Sequence, residues 1–200
     1  SNKQNSFYDK FWWTLQPENI LNLRKKIEDS KATLDNLWTK IRLWIATWDN
    51  NAFVINTEQK KNLINKDPNN IDLIKPILQW KNINRYHFSF DNKHVLLTKN
   101  GTDIEKKYPT IIEYLDTFWD TFKKRWAKWI NWYNLRACSF FNDFKKEKIM
   151  WIELTNNWRF TITDNEIYLL NSAYFLLPPE WIKWKYFLSI LNSKVINFYI

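Results

Sequence analysis

The chain has 200 residues, of which only 1 is glycine and 14 are tryptophan, with 45% hydrophobic and 26% charged side chains and a net charge of +9. That composition excludes collagen-like, low-complexity and fully disordered chains, and a single cysteine, Cys138, beside only His87 and His94 excludes an internal disulfide framework and a zinc set. No apolar run approaches the ~18 residues that span a bilayer and no basic-then-apolar leader opens the chain, so a cytoplasmic protein with no membrane partner is expected.

Residues 17 to 29 open with Pro17-Glu18, place Ile20, Leu23 and Ile27 at helical spacing and close on Asp29-Ser30, which predicts an amphipathic helix ahead of the main domain. Strands are expected over Ile41 to Ala46 and Ala52 to Ile55, separated by turn chemistry in Thr47-Trp48-Asp49-Asn50-Asn51. A helix follows over 57 to 66, broken by Asp67-Pro68-Asn69-Asn70, then a second apolar segment from Ile71 to Leu78. His94 to Thr98 reads as a strand and Asn100-Gly101 as a turn. Pro109 starts a helix whose stripe is Ile112, Leu115, Phe118 and Phe122. After a loop around 126 to 147, Ile149 to Thr155 and Arg159 to Thr163 alternate as two strands joined by Asn156-Asn157-Trp158. Ala173 to Leu177 is a further strand stopped by Pro178-Pro179, and Lys185 to Tyr199 sets Leu188, Leu191, Val195 and Phe198 on one face of an amphipathic C-terminal helix. The order of elements predicts an α+β fold, with a mixed, mostly antiparallel sheet and flanking helices.

Charge is uneven. Between Asp120 and Lys148 stand eight basic residues (Lys123, Lys124, Arg125, Lys128, Arg136, Lys145, Lys146, Lys148) against three acids (Asp120, Asp143, Glu147). A polyanionic partner and a solvated charged face both fit such a segment.

Tryptophan stands where local chemistry asks for glycine. A chain of this length ordinarily carries about 14 glycines, and Trp48, Trp126, Trp129, Trp158 and Trp181 fall in turn contexts where Trp is a poor fit to positive φ. Exposed Trp stacking on bases would explain the excess of Trp but not the loss of Gly. The exchange points to UGA codons that the source reads as glycine and that are translated here as Trp. Trp44, Trp48, Trp80, Trp126, Trp129, Trp158 and Trp181 are the positions so assigned, while Trp132 and Trp151 are taken as genuine.

Four ordered blocks carry a resemblance. Ile41 to Ile55 is similar to I-x-x-G-I-x-T-G-x-N-x-A-F-V-I. Ile74 to Tyr86 is similar to I-K-P-x-L-x-G-x-D-I-x-R-Y, with Asn82 where Asp is usual. Trp132-Tyr133-Asn134-Leu135-Arg136 is followed by Lys148-Ile149-Met150-Trp151, and Tyr186 to Lys194 is similar to Y-L-L-A-I-L-N-S-K. Over roughly residues 35 to 200 the chain thus resembles the TaqI-like C-terminal specificity domain. This is the target-recognition domain of adenine-specific DNA methyltransferases and of type IIG enzymes that fuse methyltransferase to endonuclease.

The resemblance implies a sequence-specific DNA-recognition domain over 35 to 200, shortened at its C-terminus. Residues 1 to 34 would be a helical linker from an upstream methyltransferase domain, which would be a partner along with double-stranded DNA. S-adenosylmethionine would belong to that missing catalytic domain, and no cofactor to this segment. The chain has no Asn/Asp-Pro-Pro-Tyr/Phe motif and no Gly-rich cofactor loop, so no catalytic residue is assigned. Recognition needs phosphate-neutralising cations and side chains that read base edges. The DNA-facing candidates are Lys75, Lys81, Asn82, Arg85, Lys128, Tyr133, Arg136 and Lys148. Arg85 and Arg136 suit DNA contacts and buried carboxylate bonds equally, and Tyr133 suits both stacking on a base and filling a core. The alternative to a DNA-recognition domain is a stand-alone RNA-binding or structural module. Aromatics on one open sheet face would favour single-stranded RNA, and a basic cleft beside loops would favour duplex DNA. An independent enzyme is disfavoured by the absence of a His, Cys or paired-carboxylate constellation.

Overall fold

Pro17 cannot donate a backbone hydrogen bond and so begins a helix without loss. The first helix, α1, runs Glu18–Glu28, with Lys25 and Lys26 at its C-terminal end and none of its residues buried. The computed structural model describes residues 17–29, 40–120, 131–153, 155, 157–177 and 181–199. The expected boundary between a linker ending at 34 and a domain starting at 35 lies outside them.

Two four-stranded sheets follow, mostly antiparallel as expected of an α+β chain. The first is ordered β1 (Lys40–Arg42), β8 (Ala173–Leu177), β5 (Lys148–Ile152), β6 (Thr161–Thr163). Its register sets Ile41, Leu176, Ile149 and Ile162 in one row across all four strands. Side chains alternate between faces, so Arg42, Phe175, Met150 and Thr161 form the row on the opposite face. Phe175 and Met150 enter the main core, while Ile149, Leu176 and Trp151 enter a second cluster beneath a C-terminal helix. A strand buried on both faces loses the polar alternation of a half-exposed one, and β5 is buried at all five positions.

The second sheet is ordered β2 (Val54–Ile55), β4 (His94–Leu96), β3 (Ile74–Leu78), β7 (Tyr168–Leu169). Only β3 and β7 run parallel, with Ile77 opposite Tyr168 and Leu78 opposite Leu169. Between strands lie α3 (Thr57–Lys66), α4 (Ile104–Lys107) and α5 (Pro109–Asp116). Asn56 and Gln59 close a reciprocal capping box on α3, satisfying two orphan N–H groups.

Four expectations need correction. Ala52 and Phe53 are not strand residues but the end of a one-turn helix, α2 (Asn50–Phe53), because Asp49 accepts the Asn51 N–H at 2.9 Å and caps it. The first strand stops at Arg42 rather than reaching Ala46. Helix α5 buries Ile111 and Leu115, leaving Ile112 only partly buried, and Phe122 lies outside the described residues. The C-terminal helix is two: α6 (Trp184–Leu191) and α7 (Lys194–Tyr199). Leu188 and Leu191 are buried, whereas Val195 and Phe198 are 58% and 43% exposed, because the chain bends at Asn192-Ser193 and the stripe does not continue.

Positive φ falls on Gly101, Tyr86 and Asn92 among the described residues, and not on Trp44, Trp48, Trp80, Trp158 or Trp181. The turns at Trp48 and Trp158 are built by the Asp49 cap and by Thr155 with Asn157, which need no left-handed residue. The exposure of the tryptophans divides them. Trp151 lies 9% exposed in the second cluster and stacks on Tyr174 at 5.7 Å, whereas Trp80 and Trp181 are 55% and 70% exposed.

Candidate nucleic-acid interface

The parallel β3–β7 pair releases its two chains at the same end. From β3 emerges a hairpin over residues 79–91. Gln79 N–H donates to Asn82 Oδ1 at 2.8 Å, Asn82 N–H donates back to the Gln79 carbonyl at 2.9 Å, and Ser89 N–H donates to the Asn82 carbonyl at 3.0 Å. Asn82 is 3% exposed, so its side chain shapes the hairpin base instead of facing a ligand. Ile83 bridges Phe88 and Asn84 N–H reaches the His87 carbonyl at 3.0 Å. The tip thereby exposes Arg85, Tyr86 and His87 together. Lys81 is exposed on the same hairpin but pairs with Asp91 at 3.2 Å. The Asp91 carboxylate oxygens are buried and have no hydrogen bond among the described residues, so the pair holds Lys81 on the hairpin while its own side chain stays about half exposed.

From β7 the chain passes into Leu170 and Asn171. Ile45 N–H donates to the Leu169 carbonyl at 2.9 Å, which brings residues 44–51 alongside. Together these segments line a cleft of about 500 Å³ between Trp44 and Asn51 on one side and Leu170 and Asn171 on the other. Its polar side chains are Thr47, Asp49, Asn50, Asn51 and Asn171, amide, hydroxyl and carboxylate groups of the kind that pair with base edges, with Thr47 bonded to Asn50 and Asp49 to the Asn51 N–H. Arg136 is exposed beside this loop, its N–H on the Ala46 carbonyl at 3.4 Å.

A third group is cationic. Half-buried Lys99 lies over the Phe141 ring at 4.7 Å. Burial pushes its ammonium pKa down, and the nearby charges of Lys145 and Lys75 push the same way against Glu166 and Cys138. Lys75 and Lys145 therefore lie within electrostatic reach of Lys99, as does Glu166. Sequence reading found Lys75 but not Lys99, which lies at the end of an apolar run with no local sign of its distant neighbours.

Two further candidates, beside Asn82, are withdrawn from the surface. Lys148 is fully buried and its ammonium donates to the carbonyls of Phe144, Lys146 and Asn165 at 2.7, 3.2 and 2.8 Å. An ammonium has three protons, and all three are used. Burial lowers its pKa to about 8, against the opposing pull of Glu166 and Asp164. Tyr133 is 4% exposed and belongs to the main core, with Thr98 Oγ1 donating to its carbonyl at 2.6 Å. Lys146, counted in the basic segment, is engaged by Asp143 at 2.7 Å, as is Arg42 at 2.9 Å. Burial works to raise the Asp143 carboxyl, but these two bonds outweigh it and hold the pKa below the usual range. Lys128 lies outside the described residues. Lys75, Lys81, Arg85 and Arg136 remain available, joined by Lys99 and Lys145.

Residues 75–200 match the TaqI-like C-terminal specificity domain. The chain belongs to that family. The hairpin over 79–91, the lysines around Lys99 and both C-terminal helices of this specificity domain fall inside the matched region. The domain is 26% identical over 202 residues to the type II methyltransferase M.MjaIV of Methanocaldococcus jannaschii, covering 96% of this chain and 67% of that protein. Its fold resembles that of MmeI, a type IIL restriction-modification enzyme whose structure was determined in complex with DNA, with a TM-score of 0.55 at 14% identity. That likeness covers 79% of the specificity domain and 21% of MmeI, so the chain spans about a fifth of the length of that enzyme.

Proposed function

We propose that this specificity domain recognises double-stranded DNA for a restriction-modification methyltransferase acting on adenine. The observation that carries the reading is the convergence of the Arg85 hairpin and the Thr47–Asn51 cleft at one end of the β3–β7 pair, within a chain of this family. Arg and Lys would take phosphates, which positions the duplex, while the amides and hydroxyls of the cleft would meet base edges. The exposed aromatics Tyr86 and Phe90 lie on the hairpin rather than across a sheet face, which favours a duplex over single-stranded RNA. Methyl transfer would be the work of a catalytic domain that holds S-adenosylmethionine, since no adenine-binding Asn/Asp-Pro-Pro-Tyr/Phe motif stands in this sequence.

The test is binding of the chain to a pool of randomised DNA duplexes, their single strands and RNA of equal length, titrated against salt. Duplex affinity should fall steeply with salt as phosphate contacts release counterions. Preference for RNA, or salt-independent binding, would overturn the reading. Joined to its methyltransferase, the domain should direct N6-methyladenine to one sequence, and cleavage in the same reaction would add an endonuclease.

A further inference from the structure

Tyr86 occupies a backbone conformation that its side chain disfavours. Its φ is +69°, in the left-handed region that turns ordinarily fill with glycine or asparagine. A bulky residue there costs free energy and persists only where the surrounding structure holds it in place, as at ligand-contacting sites. Here the ring is 52% exposed. The conformation is nevertheless firmly held. Tyr86 N–H donates to the Phe160 carbonyl at 2.9 Å, the Ile83–Phe88 bridge closes the hairpin beneath it, and His87 Nδ1 meets the Arg85 carbonyl at 3.1 Å. The Phe160 carbonyl also accepts Asn192 Nδ2 at 2.9 Å, so the tip is tied both to the chain entering β6 and to the end of α6.

We infer that Tyr86 is a DNA-contacting residue whose ring packs on a base or wedges into a base step, presented by a preshaped hairpin with Arg85 beside it for phosphate. The inference rests on the DNA-recognition reading and deepens it. An aromatic ring needs no particular base, whereas it does need a fixed direction of approach, which the three ties supply. Charge complementarity selects the occupant: exposed Arg85 stands next to Tyr86 at the tip and Lys81 lies at the base of the same hairpin, in a chain of net charge +9. A neutral protein partner would gain nothing from those cations.

Glycine at this position separates the two possible uses of the side chain. Tyr86→Gly relieves the left-handed backbone and removes the ring, and Tyr86→Phe keeps the ring. The probe is the same pool of randomised duplexes, with thermal melting of each variant alongside. Tyr86→Phe should bind within about twofold of the unsubstituted chain, and Tyr86→Gly and Tyr86→Ala should bind about tenfold or more weakly, the scale of a lost base–aromatic contact. Tyr86→Gly should melt no lower than the parent. The salt slope should stay unchanged for both, because no charge is lost, while Arg85→Ala should reduce it by about one. Full duplex affinity in Tyr86→Gly, with the parent still binding DNA, would overturn the role of Tyr86 and leave the DNA reading standing. A fall in melting temperature for Tyr86→Gly with unchanged binding would make the ring a structural residue instead. Absence of duplex binding by the parent would remove both.

Discussion

The side-chain amide of Asn192 pairs with the backbone of Phe160 as a neighbouring strand would. Its Oδ1 accepts the Phe160 N–H at 3.0 Å and its Nδ2 donates to the Phe160 carbonyl at 2.9 Å. Phe160 lies just before β6, on the side of the sheet that α6 covers, and both residues are buried. One side chain therefore ends a helix, anchors a strand and, through the shared carbonyl, steadies Tyr86. Asn192→Leu keeps the volume but strands a buried N–H. It should cost about 1–3 kcal/mol in chemical denaturation, and Asn192→Asp should recover only part of that, because a carboxylate accepts the Phe160 N–H but cannot donate to its carbonyl. An unchanged denaturation midpoint for Asn192→Leu would refute the pairing.

Lys148 should behave as a core residue in spite of its charge. Lys148→Met leaves the buried Phe144 carbonyl without this donor, while those of exposed Lys146 and Asn165 can turn to water, and should destabilise the fold by about 1–3 kcal/mol. The salt dependence of DNA binding by the folded fraction should not move. Lys145→Ala should do the opposite, leaving the melting temperature within about a degree and lowering the salt slope by about one. Reversal of these two phenotypes would return Lys148 to the surface.

Acid should destabilise the chain in two windows. His94 is buried, and Lys60 Nζ lies 3.0 Å from its Nε2, which requires an unprotonated acceptor nitrogen. Burial and then the Lys60 charge push its pKa below the ordinary 6.5. As pH falls below about 6.5 the unfolded imidazole takes a proton that the folded one refuses, so stability declines until the depressed folded pKa is passed. Asp143, whose pKa is also depressed, contributes stability above the ordinary carboxylate range and loses it as pH falls further. Urea midpoints measured between pH 8 and 3 should show both declines. His94→Phe should flatten the upper one and Asp143→Asn the lower. An upper decline that survives His94→Phe would assign it to another group.

The tryptophan surplus makes a prediction at the level of the gene. Trp48, Trp80 and Trp158 should be encoded by UGA and appear as glycine in peptides of the protein from its source, whereas Trp151, packed on Tyr174, should be encoded by UGG. UGG at all four would end the decoding explanation. The excess of Trp would then need a functional cause, and the 55% exposure of Trp80 on the recognition hairpin would be the place to look.

Local chemistry was legible wherever one element carries its own signal. The helix α3, the strand Ala173–Leu177, the Asn100-Gly101 turn and the helix beginning at Pro109 all follow from residues within a few positions of one another. The two-residue strand β7 was not legible, because its pairing with β3 comes from a segment about ninety residues away. The same limit applied to the site. Arg85 and Arg136 could be named from motif position, but a lysine on a polar-looking strand boundary and a lysine in a basic run look alike until burial is known.

By itself the sequence determined the α+β class, the basic balance, the family blocks and the surplus of tryptophan beside a single glycine, since each is written in composition, periodicity or short-range spacing. Tertiary structure alone decided which cations are free. Lys148 lies within the basic run yet spends its three protons on carbonyls from three separate residues, and Lys146 answers Asp143, while Lys99 comes within electrostatic reach of Lys75 and Lys145 from distant parts of the chain. Charge is a property of a residue, but whether that charge meets solvent, a carbonyl or another ammonium depends on contacts that chain order does not specify.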